Sequence, residues 1–111
     1  MPGLFLAEFE LYVMLAIARL GDEAYGAAVR QDIEARTARP VSIGALYATL
    51  ARLETKGLIT LRTTKTAGQR GRARRYCRLT ADGATATRHS ALMLRRMMGG
   101  LKLEPSRSGK A

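Results

Sequence analysis

The 111-residue sequence predicts a mainly α-helical fold carrying one small β-hairpin. Three observations carry that expectation. Apolar residues recur at helical spacing in four stretches, two short alternating runs flank a polar loop containing glycine, and capping residues sit at the joints. A hydrophobic share of 47% in one short chain fits a single domain with a buried core.

The first helix, Leu4–Leu20, is apolar on nearly every side, through Leu4, Phe5, Leu6, Phe9, Leu11, Tyr12, Val13 and Met14. Such a helix needs covering on more than one face. The domain's own core can take one face, so the other points to a partner chain. Glu8, Glu10 and Arg19, with no basic leading segment, fit neither a signal peptide nor a membrane span. Gly21 ends this helix and Asp22 is placed to cap the next. In Ala24–Arg36, Tyr25, Val29 and Ile33 form one narrow apolar stripe.

Ser42 is a good N-cap for a third helix, Ile43–Lys56. Ile43, Leu46, Leu50 and Leu53 share its apolar face; Gly44, Ala48, Ala51 and Thr55 lie opposite, flanked by Ala45 and Arg52. Gly57 suits a left-handed C′ position, with Leu58 folding back on Leu53. Two extended runs follow, Leu58–Thr63 and Arg74–Thr80, joined by a long polar loop. Thr80 caps a fourth helix, with Asp82 in its first turn. Within it Ala84, Thr87, Ala91, Leu94, Met98 and Leu101 repeat with coiled-coil-like spacing, and Gly99-Gly100 cuts the seam short.

Three helices, a hairpin and a final helix describe a winged helix-turn-helix with an added C-terminal helix. Physically this is a DNA reader: one helix enters the major groove while the hairpin reaches backbone or minor groove. Charge agrees. Nineteen Lys/Arg against nine Asp/Glu give +10. Residues 1–61 hold six basic and seven acidic side chains, a net of −1, and residues 62–111 hold thirteen against two, a net of +11. That excess points to an anionic partner.

The segments LGDEAYGAAVRQDIE, SIGALYATLARLETKGLI and GRARRYCRLTADG resemble the three signature blocks of the PadR family of bacterial transcriptional regulators, in its short form with a single C-terminal helix. The resemblance runs from Leu15 to Gly83. It implies a homodimer whose C-terminal helix packs on the first helix of the partner, binding palindromic double-stranded DNA and often repressing until a small ligand loosens it. The chain departs from the family pattern at Cys77, where an aromatic is common, and in having no Trp, which lines a ligand pocket in some relatives. Expected units are a DNA-binding domain at 1–80, a dimerisation helix at 81–103 and a disordered tail at 104–111.

The expected DNA contacts are Ser42, Gly44, Ala45, Tyr47, Ala48, Thr49 and Arg52 on the third helix, and Arg70, Arg72, Arg74 and Arg75 on the wing. Strand alternation separates Arg74 and Arg78 from Arg75. Of the wing set, Arg70, Arg72 and Arg74 are assigned to DNA, while Arg75 and Arg78 partly serve the fold, Arg78 by pairing with a carboxylate. For Tyr47, packing on the wing or first helix and contact with a phosphate both stay open. The expected dimer contacts are Leu4, Phe5, Phe9, Tyr12, Ala91, Leu94 and Met98. Met93, Met97 and Met98 read as dimer core, and as a lining able to admit a small apolar or aromatic effector.

Other functions find little support. No catalytic constellation or phosphate-cradling glycine loop occurs, so no enzyme is expected. His89 stands apart from other ligand types, so no metal site is expected. Cys77, the single cysteine, excludes an internal disulfide and reads as a small core residue. The location expected is a reducing cytoplasm. Two rivals remain at this level: a winged helix docking on an acidic protein, and a non-specific architectural or RNA-binding protein.

Overall fold

A computed structural model describes residues 6–65 and 73–104. The order of elements is α1 (Glu8–Leu20), a single 3-10 turn (Gly21–Glu23), α2 (Gly26–Thr37), α3 (Ile43–Thr55), β1 (Ile59–Lys65), β2 (Ala73–Leu79) and α4 (Ala81–Met98). Leu4, Phe5, Arg70, Arg72 and residues 105–111 of the expected tail lie outside the described residues.

Helix α1 is the central post. It packs against α2, α3, α4 and β2, which explains why it is apolar on so many sides. Leu11, Val13, Met14, Ala16 and Ile17 are all buried. The chain's own elements thus cover more of α1 than the one face expected. Phe9 and Tyr12 are half-buried at the margin of that core.

Asp22 does not cap α2. It lies in the 3-10 turn and pairs with Arg78 at 3.3 Å, which is the carboxylate partner expected for Arg78. The turn frees the next residues to join the hairpin. The Cys77 N–H donates to the Ala24 carbonyl at 2.7 Å, and Tyr25 bridges to Tyr76. Tyr25 then serves as the N-cap residue of α2 in an extended conformation. Val29 and Ile33 are buried and Tyr25 half-buried, so the narrow stripe is the packed edge of α2.

The link from α2 to α3 is held by side chains of α2. Val41 is buried; its N–H donates to Glu34 Oε2 at 2.8 Å and its carbonyl accepts from Arg30 Nε at 2.7 Å. Both backbone groups of a buried loop residue are thus satisfied, as burial requires. Helix α3 begins with Ser42 Oγ accepting from the Ala45 N–H at 3.0 Å. It ends in a Schellman motif, with Gly57 at φ 77° and the Leu58 N–H on the Leu53 carbonyl at 3.0 Å. Leu46, Leu50 and Leu53 are buried. Ile43, expected beside them, is 56% exposed; it occupies the first helical position, before α3 reaches the core.

Strands β1 and β2 pair antiparallel from Ile59↔Leu79 to Lys65↔Ala73. Ile59 and Cys77 are buried, and Leu61 and Leu79 pack on the core margin, so this face is the inner one. Thr80 then locks the corner: its hydroxyl donates to the Gly57 carbonyl at 2.7 Å and accepts from the Gly83 N–H at 2.9 Å. Gly83 lies so close that a Cβ there would overlap the Leu58 carbonyl. No helix of the described residues is long and apolar enough to cross a membrane.

Candidate nucleic-acid interface

The outer surface of α3 carries a stripe of small residues, while its leucines turn inward. Ser42, Gly44, Ala45 and Ala48 are exposed, while Leu46, Leu50 and Leu53 face inward. An exposed face without bulky side chains lets a helix backbone come close to base edges in a major groove.

One of the expected contacts on α3 is corrected. Thr49 is only 1% exposed, because it falls beside the leucine stripe; its hydroxyl faces Arg52, whose Nη2 donates to it at 3.0 Å. For Tyr47 the structure adds a neighbour in α2. Its ring lies over Gly26 at the start of α2, where a Cβ would collide with the phenol. Gly26 therefore makes room for Tyr47, which stays half-buried at the helix-turn-helix junction.

Arg52 is exposed but not free. Its Nε lies 3.7 Å from Glu10 Oε2, which also accepts from Lys56 Nζ at 3.1 Å. On the wing, Arg74 is half-buried, its guanidinium 4.2 Å above the Tyr25 ring, and the Tyr25 and Tyr76 rings meet edge-on at 5.7 Å. Arg75 is exposed, opposite Thr63. Arg74 thus packs on the fold through a cation–π contact, while Arg75 is the more exposed of the two. Arg62, exposed and opposite Tyr76, was not among the expected contacts. The alternation of β1 held the signal, since inward Ile59 and Leu61 put Arg62 on the outer face.

Cys77 is buried, and burial pushes its thiol up to about 11; this is a packed thiol rather than a reactive one. Among the described residues, no group of His, Cys, Asp and Glu is placed to hold a metal ion. A second concave surface lies away from α3. It is an apolar groove of about 410 Å³ between the start of α1 and the far half of α4, lined chiefly by Leu6, Leu11, Tyr12, Met93, Leu94 and Met97.

The model of the transcriptional regulator PadR-like family matches residues 14–89, from the middle of α1 into α4. The chain belongs to this family. Its members are transcriptional regulators and not enzymes, so the exposed α3 face and basic hairpin are parts of a DNA-binding regulator. A PadR family regulator from Eggerthella lenta is similar at 28% identity and a TM-score of 0.63, covering 83% of this chain and 82% of that one. A PadR-like transcription factor from Bacteroides fragilis is similar at 24% identity and a TM-score of 0.67, covering 80% and 82%. BpsR of Bordetella bronchiseptica, whose DNA binding is regulated by 6-hydroxynicotinic acid, shares the fold at 17% identity and a TM-score of 0.62, covering 93% and 73%. A comparison with curated proteins gives no match.

Proposed function

We propose that this PadR-like chain is a homodimeric repressor of palindromic operators. In this reading residues 1–80 bind DNA, and residues 81–103 dimerise by laying the far half of α4 on α1 of the partner. Ser42, Gly44, Ala45 and Ala48 enter the major groove, with Arg52, Arg75 and the wing-tip arginines Arg70 and Arg72 on phosphates. The observation that carries it is the exposed, small-residue face of α3 beside a basic hairpin. Support for the dimer comes from Leu94 and Met98, which stay 52% and 53% exposed although they continue the seam begun by Thr87 and Ala91. Two recognition helices related by a two-fold axis read a palindrome. The methionine-lined groove supports release by a small apolar or aromatic ligand; in BpsR a small molecule regulates DNA binding.

Selection of random duplex DNA by the purified protein tests this. A palindromic consensus is expected, with affinity falling about a thousandfold between 50 and 200 mM salt if about six phosphates are neutralised. Enrichment of no sequence would turn the reading toward a non-specific binder. Binding of no nucleic acid at all would favour docking on an acidic protein.

A further inference from the structure

We propose that Glu10 is a positioning residue which, together with Thr49, holds Arg52 as a preset phosphate contact. The proposal rests on the DNA-binding reading above and adds the residues that make one of its contacts.

Glu10 lies in the first turn of α1 and is only 6% exposed, although it carries charge. A carboxylate that dry is costly unless donors surround it, and here three do. Oε1 accepts from the Ala7 N–H at 3.0 Å, while Oε2 accepts from Lys56 Nζ at 3.1 Å and lies 3.7 Å from Arg52 Nε. Burial by itself would push the Glu10 carboxyl up. The Ala7 amide, the Lys56 ammonium and the Arg52 guanidinium outweigh it and hold the group below the usual carboxylate range. Glu10 is therefore ionised at neutral pH.

Arg52 is held along one edge of its guanidinium by two buried groups: Thr49, which accepts from Nη2 at 3.0 Å, and Glu10, whose carboxylate lies 3.7 Å from Nε. Its side chain nonetheless stays 56% exposed and that of Lys56 40%. Two cations on one carboxylate leave one net positive charge facing outward at the end of α3. A long side chain fixed before binding loses less freedom on binding, and a guanidinium held at one edge offers its remaining donors in one direction. On the helical wheel Arg52 sits to the flank of the Gly44–Ala48 stripe, so its contact is with backbone phosphate rather than a base. Phosphate contacts set the register in which a recognition helix meets the bases.

The rival role for a carboxylate near DNA is plain repulsion, which predicts the opposite sign. The test is a double-mutant cycle on affinity for a short mixed-sequence duplex, where a phosphate contact is read without knowing the operator. Arg52→Ala is expected to weaken binding about tenfold and Glu10→Gln about fivefold. Adding Glu10→Gln to Arg52→Ala should then cost nothing further, or tighten binding, because only the repulsion remains. Thr49→Val, nearly equal in volume, should weaken binding in the same Arg52-dependent way, and it carries the cycle if Glu10→Gln melts early. Tightening by Glu10→Gln in the otherwise unchanged chain would overturn the proposal, as would an equal loss with and without Arg52. If the unchanged protein binds no duplex, the DNA-binding reading fails and this proposal falls with it.

Discussion

The two halves of α4 belong to one unbroken helix and live in different surroundings. In the first, Gly83, Ala86 and Thr87 are buried, and Gly83 touches the Leu58 carbonyl so closely that any side chain is excluded. In the second, Leu92, Leu94, Met97 and Met98 are 44% to 76% exposed. The same 3-4 seam of apolar residues runs through both. What differs is whether the chain supplies something to pack against. The near half closes the winged helix; the far half offers an apolar face beyond the domain's own core, where a second copy is the occupant that the proposed dimer requires.

The largest effect should come from breaking the near half. Gly83→Ala forces a Cβ into a backbone carbonyl that cannot swing aside, and stability is expected to fall by about 3 kcal/mol or more, measured by denaturant unfolding. A change below about 0.5 kcal/mol would mean that α4 docks more loosely than the contact with Leu58 implies.

The far half should respond in the opposite way. Leu94→Ser combined with Met98→Ser is expected to leave helix content intact while weakening self-association about a hundredfold, read by sedimentation across a concentration series. An unchanged association constant would place the dimer contact elsewhere and remove the distinction between the halves. The smallest effect falls at the seam's last buried position. The Thr87 hydroxyl donates to the Gly83 carbonyl at 2.8 Å, so Thr87→Val should cost at most about 1 kcal/mol in the same unfolding experiment and leave association unchanged.

Much of this architecture was legible in the residues because it depends on local chemistry. Ser42 and Thr80 cap the helices they were expected to cap, and Gly57 with Leu58 closes α3 as expected. Those devices involve residues within a few positions of one another. The interface was less legible. Alternation correctly separated Arg74 from Arg75, but nothing local showed that Tyr25, almost fifty positions upstream, would lie beneath Arg74. Thr49 was likewise expected at the DNA, and the packing of α3 put it inside.

The sequence by itself determined the order of the helices and strands, the caps of α3 and α4, the end of α3, most of the inward residues, and the placing of almost all excess positive charge after residue 61. These follow from periodicity, capping and composition, which act over short stretches of chain. Among the described residues, only the tertiary structure decided which cations are engaged and which stay exposed. It bound Arg52 and Lys56 to Glu10, Arg78 to Asp22 and Arg74 to Tyr25, while leaving Arg62 and Arg75 exposed. An ion pair or a cation–π contact depends on distance in space, and sequence separation carries almost no information about that distance.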